Sequence, residues 1–244
     1  MGPEEGVKDY GLKLRGWYRV ARGTVGFLLR TLARLRIEGR EEIPRHGPVI
    51  LATNHIHWLD APLVAAIFPY RVYVFAGEKW EKHWLLGPFF RSLAAIFVRR
   101  GEVDRRALRQ ALDVLEGGGV LGMAPEGTRS KTGGLQPART GAAYLAYRAG
   151  VPILPVACTG QEKVFPALRR LRRATVRVSI GAPFYPPPVE GKATSAQVQA
   201  FTDEIMYRLA AMLPPEYRGV YADVADKHPD LVQAYGAGSI STRS

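Results

Sequence analysis

The chain has 244 residues, of which 47% are hydrophobic, and it carries 34 Lys and Arg against 22 Asp and Glu, a formal net charge of +12. This length fits one domain with a full core. The positive excess suits nucleic acid, an anionic membrane surface or an anionic substrate. Paired-cysteine fingers, aromatic RNA-binding signatures and basic zippers do not occur, which argues against nucleic acid. The single Cys158 excludes a disulfide within the chain and fits a reducing compartment.

Residues 7–36 combine leucine and aromatic residues with many basic ones, a pattern that predicts one or two amphipathic helices. Such a helix can lie in the lipid interface, although it can also simply pack on the domain. The most apolar stretch, 20–35, is interrupted by Arg22, Arg30 and Arg34, so we predict no membrane-spanning helix. We also predict no signal peptide. We therefore expect a peripheral or monotopic protein on the cytoplasmic face of the membrane.

Short apolar runs alternate with helical patterns from Pro48 to about Pro183. The predicted strands are 48–53, 71–76, 95–98, 119–124, 151–157 and 174–181. The predicted helices are 104–116, 138–149 and 195–213. This alternation predicts an α/β fold with a mostly parallel central sheet flanked by helices. We assign 1–36 to a membrane-association element, 37–219 to the α/β domain and 220–244 to a C-terminal extension that is partly flexible.

Two polar motifs each follow a predicted buried strand. Asn54 to Asp60 follows the run 49–52, and Pro125 to Ser130 follows the run 120–124. In open parallel sheets, ligands bind in the crevice outside the carboxyl ends of the strands. The two motifs are therefore expected to form one site.

The first motif offers a histidine and a carboxylate. On a regular helix, positions 55 and 60 would point about 140° apart, because a turn takes roughly 3.6 residues. Pro62 fits the first residue of a helix, so 54–60 is expected to be a loop that can fold Asp60 onto Nδ1 of His55. Nε2 would then face a substrate as a general base. Alternatively, Asp60 caps the following helix, and both roles are compatible.

His57 opens a different interpretation. His55, His57 and Asp60 could be metal ligands of a hydrolase such as a phosphoesterase or deacylase, but the surroundings of the other histidines suggest no further ligand. We predict no metal site. A membrane-binding module without enzymatic activity is a third alternative.

The second motif is suited to binding an anion. Gly127 lets the backbone approach a ligand, Thr128 and Ser130 offer hydroxyls, and Arg129 can hold a phosphate through two hydrogen bonds. The alternative is a polar turn in which Glu126 pairs with Arg129.

The motifs at 54–60 and 125–130 resemble the first and third signature blocks of the glycerolipid acyltransferase family, whose best-known members are lysophosphatidate acyltransferases. Residues 87–100 and 151–156 resemble the second and fourth blocks, so the resemblance covers about 37–182 in the expected order. The chain departs from the family's usual pattern at three positions. Gly77 and Arg139 stand where lysine is common, and Ala124 stands where phenylalanine is common.

The resemblance implies that His55 removes a proton from an acceptor hydroxyl that attacks an acyl thioester, with Asp60 orienting the imidazole. It implies no metal and no bound cofactor. The implied donor is acyl-carrier protein or acyl-coenzyme A, and the implied acceptor is lysophosphatidate, with glycerol phosphate or another lysolipid as alternatives. The implied substrate-binding residues are Arg100, Glu126, Gly127, Thr128 and Arg129.

In this interpretation, Arg100 and Arg129 hold the acceptor phosphate, Glu126 reaches a hydroxyl, and backbone near Gly127 meets the oxyanion. The basic cluster 169–173 and the N-terminal helices would hold the protein against an anionic membrane.

Overall fold

The computed structural model describes residues 16–84, 87, 90, 94–99 and 104–236. The strands are β1 (Ala33–Glu38), β2 (Val49–Thr53), β3 (Val72–Gly77), β4 (Ala95–Val98), β5 (Val120–Met123), β6 (Ile153–Thr159) and β7 (Ala174–Ile180). The helices are α1 (Gly16–Leu32), α2 (Asp60–Ile67), α3 (Arg105–Glu116), α4 (Gly141–Ala149), α5 (Val164–Leu168), α6 (Ser195–Met212), α7 (Val224–Lys227) and α8 (Pro229–Gly236). All six predicted strands are present within two residues of their expected ends.

The strands form one seven-stranded sheet in the order β1-β7-β6-β2-β5-β3-β4. Every neighbouring pair is parallel except β6 and β7, which confirms the predicted mostly parallel sheet. Strands β2 and β5 are neighbours, so the two polar motifs leave the same edge side by side. We call this edge, where Thr53, Met123 and Thr159 end their strands, the carboxyl edge. Because β7 runs antiparallel to β6, β1 and β7 begin at it.

Helices cover both faces of the sheet. One face packs against Leu115 of α3, Leu145 of α4 and Phe201 of α6. The other face packs against Leu63 of α2 and Val164 of α5, together with part of α1. All five residues of β2 are buried, as a central strand covered on both faces requires.

The predicted helix ends follow local chemistry. The Asp104 carboxylate accepts a hydrogen bond from the backbone N–H of Ala107, which caps α3, and Gly117 ends that helix. Helix α4 begins at Gly141, three residues later than predicted, and ends at Gly150 in the left-handed conformation. Two short helices, α7 and α8, occupy 224–236, where the sequence pattern was weak.

The prediction of helix through residue 36 is wrong at its end. Helix α1 stops at Leu32, and Ala33–Glu38 pairs with β7 along its whole length. Burial alternates between Ala33, Arg34, Leu35 and Arg36, which is the period of a strand. Residues 7–15 of the predicted helix and the predicted flexible tail beyond 236 lie outside the described residues.

Helix α1 packs on the domain through one face and exposes apolar side chains on another. Its Tyr18 hydroxyl accepts a hydrogen bond from the Val72 backbone N–H at 3.1 Å, and Leu29 is buried. Val20, Phe27 and Leu28 are exposed. Among the described helices, none combines the length and hydrophobicity needed to cross a membrane.

Candidate active site

His55 and Asp60 meet in the loop that connects β2 to α2. The His55 Nδ1 atom lies 2.7 Å from Asp60 Oδ2. The same oxygen accepts hydrogen bonds from the backbone N–H groups of Ile56 and His57, both at 2.9 Å. Because a carboxylate only accepts, Nδ1 carries the proton and Nε2 is left with a free lone pair. Asp60 is 2% exposed, whereas the His55 side chain is 22% exposed.

Asp60 does not cap α2, because Leu59 occupies the N-cap position and Asp60 is the first helical residue. Its carboxylate instead points back at the preceding loop, whose backbone wraps around it. Pro62, expected at the first helical position, is the third, still within the first turn, where a missing N–H costs no helical hydrogen bond.

Gln161 supports Asp60 from behind. Its Nε2 donates to Asp60 Oδ1 at 2.9 Å and lies 3.4 Å from the Cys158 carbonyl oxygen. Both neighbours are acceptors, so the amide nitrogen must face them. Gln161 is 1% exposed, and the sequence analysis did not identify it. The available signal was its position just after β6, at the carboxyl edge.

Asn54 fixes the start of the same loop to the neighbouring strand. Its side-chain Nδ2 donates to the Cys158 carbonyl at 2.8 Å, and its Oδ1 accepts from the Cys158 backbone N–H at 2.7 Å. This pair of bonds ties the end of β2 to β6. The loop therefore leaves the sheet in a fixed direction.

Glu126 lies beneath the histidine, where both of its carboxylate oxygens accept hydrogen bonds from the backbone. Its contact with a substrate hydroxyl stays a prediction. The side chain is 2% exposed, with Oε1 accepting from the His55 N–H at 2.8 Å and Oε2 from the Gln136 N–H at 2.9 Å. Burial raises the pKa of Glu126 to about 7, against the lowering effect of these two hydrogen bonds. Its carboxylate therefore positions the two loops.

The turn after Glu126 is held by backbone bonds. The Gly127 N–H donates to the Ala124 carbonyl at 3.0 Å, so within the backbone near Gly127, where we expect the oxyanion donor, this amide is already used. Ser130 N–H donates to the His55 carbonyl at 2.7 Å. The alternative pairing of Glu126 with Arg129 is not seen, since Arg129 is exposed and no ion pair joins the two residues in the described part of the chain.

A cavity of about 1400 Å³ opens beside His55. Gly127 and Thr128 line it, as expected for substrate-binding residues, but Arg129 is not among the described residues that do. The expected Arg100 lies outside the described residues. Arg139 lines the cavity instead and packs over Gly127, where an added Cβ would lie 3.0 Å from Arg139 Cδ. In the sequence analysis, Arg139 is a position at which the family commonly has lysine.

The cavity combines apolar and basic walls. The apolar lining residues include Val64, Val74, Phe75, Val98, Leu108, Leu112 and Met123. The basic ones are Arg99, Arg105, Arg109, Arg139 and Arg148. Such a cavity suits an amphiphilic ligand that has a hydrocarbon part and an anionic part.

His57, four residues after the end of β2, lies beside aromatic side chains instead. Its ring lies 5.6 Å from Trp58 and 6.3 Å from Phe165, between ring centroids. Burial lowers its pKa. Within the described residues, no three His, Cys, Asp or Glu side chains are grouped so that they could hold a metal ion.

Comparison with solved structures gives a crystal structure of the 1-acyl-sn-glycerophosphate acyltransferase PlsC from Thermotoga maritima. The TM-score is 0.61 at 25% identity, covering 77% of this chain and 76% of that one. Among sequence relatives, the Bacillus subtilis 1-acyl-sn-glycerol-3-phosphate acyltransferase is 20% identical over 193 residues, which is 79% of this chain and 94% of the relative. The Pseudomonas aeruginosa lyso-ornithine lipid O-acyltransferase is 34% identical over 135 residues, which is 54% of this chain and 51% of the relative.

The sequence pattern of one protein family, described as Acyltransferase, matches residues 34–159. That range begins in β1 and ends with β6, so it includes the His55 loop, Asp60, Glu126 and the turn at Gly127. The matched segment is thus the one that builds the site, and it covers more than half of the chain. By this match the chain belongs to the Acyltransferase family.

Proposed function

We propose that the protein transfers a fatty acyl group from a thioester to the free hydroxyl of lysophosphatidate. The observation that carries the proposal is the His55–Asp60 contact at the mouth of a cavity with apolar and cationic walls. The two named relatives above act on lysolipids with a free hydroxyl, according to their names. The histidine supplies a base, and the cavity suits an acceptor that has an acyl chain and a phosphate.

The reaction would proceed by general-base catalysis. His55 Nε2 takes the proton of the acceptor hydroxyl as its oxygen forms a bond to the thioester carbonyl carbon. The C–S bond then breaks, and the thiolate leaves with the proton from the imidazolium. Asp60 stabilises the imidazolium through Nδ1, at 2.7 Å. This step needs no metal and no bound cofactor, because the donor brings its own activated carbon.

The acceptor phosphate would lie close to His55. In lysophosphatidate the reacting hydroxyl and the phosphate are on adjacent carbons, so the phosphate cannot be far from the imidazole. Arg139 and the turn at Gly127 and Thr128 line the cavity there. We propose that they bind the phosphate, together with Arg100 and Arg129.

The direct test is incubation of the protein with acyl-coenzyme A or acyl-carrier protein and a panel of acceptors, with products identified by mass spectrometry. The panel contains lysophosphatidate, glycerol 3-phosphate, lyso-ornithine lipid and lysophosphatidylcholine. We expect phosphatidate from lysophosphatidate as the main product. Preferred acylation of lyso-ornithine lipid would mean that this lipid, and not lysophosphatidate, is the acceptor. Thioester hydrolysis without an acylated lipid would reject acyl transfer.

Gln161 gives a prediction about positioning. Replacing it with Leu keeps its size and removes the donor to Asp60 Oδ1. We expect kcat to fall about tenfold with KM little changed, because a hydrogen bond to a charged group is worth roughly 1.5–3 kcal/mol. Steady-state kinetics on purified protein measures both constants.

Gln199 is the matched control for Gln161. Its Nε2 donates to Asp203 Oδ1 at 2.8 Å, but this pair is exposed on α6. Gln199→Leu should leave kcat unchanged. Equal effects of the two substitutions, or a change confined to KM in Gln161→Leu, would contradict the positioning role.

Membrane binding at the carboxyl edge is the second part of the proposal. Trp58 and Phe165 stack at 5.6 Å beside the His55 loop and are exposed, and Leu171 is almost fully exposed. Around Leu171 lie the basic residues of the cluster 169–173. The strands β1 and β7 begin at this edge, which also brings α1 to it. Aromatic and basic side chains together suit the interface of an anionic bilayer.

Vesicle binding tests this surface. Arg170→Gln should weaken binding to vesicles that contain phosphatidylglycerol about fivefold, because a basic residue near an anionic surface contributes about 1 kcal/mol. Lys192→Gln, which removes an exposed charge in the loop before α6, should have little effect. Sedimentation with vesicles measures both. Equal losses for the two variants would mean that net charge, and not this edge, governs binding.

A further inference from the structure

The cavity extends beyond the catalytic histidine into a groove between two helices. On α3 it is lined by Arg105, Leu108, Arg109 and Leu112, and on α4 by Gly141, Tyr144 and Arg148. Both sets follow the three- and four-residue spacing of one helix face. Ser195 and Val198 of α6 complete the lining. We call this part of the cavity the α3–α4 groove.

The groove leads away from the carboxyl edge. Gly141 lies at that edge, since a Cβ on it would be 3.7 Å from Met123 Cε at the end of β5. Arg148 is seven residues further along α4, about 10 Å at 1.5 Å per residue. Helix α6 begins after β7 has ended at the opposite edge, where Phe184 bridges to Ile153. The groove thus runs from the histidine across one face of the domain.

The charges in the groove are unbalanced. Arg105, Arg109 and Arg148 are exposed, and among the described residues no carboxylate lies within ion-pair distance of any of them. Asp104, which precedes Arg105, accepts the backbone N–H groups of Arg99 and Ala107. Three arginines from two helices therefore face one open groove and can bind an anion.

This anion cannot be the acceptor phosphate if the acceptor is lysophosphatidate. That phosphate is a few bonds from the hydroxyl that His55 deprotonates, whereas Arg148 is about two helical turns from the carboxyl edge. A thioester donor has the required shape. Its reacting carbonyl must lie at His55, and its pantetheine arm ends in a phosphate many bonds away.

We propose that the α3–α4 groove binds the pantetheine arm of the acyl donor, with Arg109 and Arg148 holding its phosphate. The proposal rests on the proposed function, because it requires a thioester donor. Phosphopantetheine is common to coenzyme A and acyl-carrier protein, so the groove serves either source. Leu108 and Leu112 pack against the arm, while the arginines bind the charged end.

The test compares donors with and without the phosphate. The wild type should use acyl-phosphopantetheine at least tenfold more efficiently, in kcat/KM, than acyl-pantetheine, because a bidentate arginine–phosphate contact is worth about a factor of ten. Arg109→Gln and Arg148→Gln should each raise KM for the phosphorylated donor about tenfold. Neither should change KM for lysophosphatidate. The combined variant should use both donors equally.

Arg106→Gln is the matched control, because Arg106 lies between the groove residues on α3 but does not line the cavity and faces Glu81 at 3.9 Å. It should keep the wild-type kinetics. Arg109→Lys, which keeps the charge, should recover part of the donor affinity and shows that a loss in Arg109→Gln is not caused by misfolding.

Repeating the series with acyl-coenzyme A and with acyl-carrier protein shows which of the two donors carries the phosphate that the groove binds. A rise in KM for whichever donor the wild type uses supports the groove. A rise in KM for lysophosphatidate, weaker vesicle binding with unchanged donor KM, or no effect of the combined variant overturns it. Failure of the wild type to transfer an acyl group from any donor rejects the proposed function instead.

Discussion

Replacing His55 with Ala should lower kcat for acyl transfer by roughly 10²–10⁴, the usual contribution of a general base. The protein should remain folded, because the side chain is partly exposed in a loop. Its removal also leaves the buried Asp60 carboxylate with three donors, the N–H groups of Ile56 and His57 and the amide of Gln161. Acyl transfer measured with saturating donor and acceptor, together with a thermal melt, checks both statements.

His57 offers a control in the same loop. Its ring packs near Trp58 and Phe165 and does not contact the Asp60 carboxylate, which binds the His57 backbone. His57→Ala should therefore keep kcat within a few-fold of the wild type. His55→Gln, of similar size, is a second test of the base. Near-normal kcat in either His55 variant, or a larger loss in His57→Ala, would reject His55 as the base.

The site is built so that the base has little freedom. The imidazole is held through Nδ1 by Asp60, and the residue's own N–H and C=O are held by Glu126 and Ser130. Asp60 is held in turn by Gln161, which follows the neighbouring strand β6. A side chain fixed at so many points can present Nε2 in one direction, which lowers the entropic cost of reaching a reactive geometry.

Much of the sheet could be predicted from the sequence because its central strands are short apolar runs bounded by turns. The first strand was missed for a physical reason. The sequence of this segment also fits the end of an amphipathic helix, with residues Arg34, Leu35, Arg36 and Ile37. The strand whose pairing decides between helix and strand, β7, is about 140 residues away. Long-range pairing of this kind overrides local preference.

The candidate site likewise contains contacts that the sequence predicts and contacts that it does not. His55 and Asp60 are five residues apart, so a loop could bring them together and the sequence revealed it. Gln161 is 101 residues from Asp60, and no local sequence pattern predicts the contact between them. Glu126 was identified, but its two backbone contacts were not, because a carboxylate that positions backbone and one that binds substrate look alike until burial is known.

Replacing Glu126 with Gln should cause the second large loss of acyl transfer. In Glu126→Gln the side chain keeps one acceptor oxygen, so it can accept from either the His55 N–H or the Gln136 N–H but not both. The other N–H loses its partner, and the loop that carries His55 shifts. We expect acyl transfer to fall about 10²-fold, the loss that a displacement of about 1 Å can cause. The kcat of the variant, measured at the pH optimum of the wild type, checks this.

The difference in stability between the wild type and the same variant should depend on pH in a defined direction. The Glu126 pKa is raised from 4.5 to about 7 in the folded protein. Between these values the folded state holds a proton that the unfolded state has lost, so the stability due to Glu126 falls as pH rises. Over about 2.5 pKa units this amounts to roughly 3 kcal/mol, at 1.36 kcal/mol per unit.

Glutamine does not titrate, so comparison of the two proteins isolates this contribution from all other titrating groups. The free energy of unfolding of Glu126→Gln, relative to the wild type, should improve by roughly 3 kcal/mol between pH 4 and pH 8. Urea titrations at a series of pH values measure it. A difference that stays constant with pH, or that grows in favour of the wild type, would mean that burial does not control this carboxylate. Glu126 would then be an ionised group at low pH as well, and its two backbone hydrogen bonds would outweigh its desolvation.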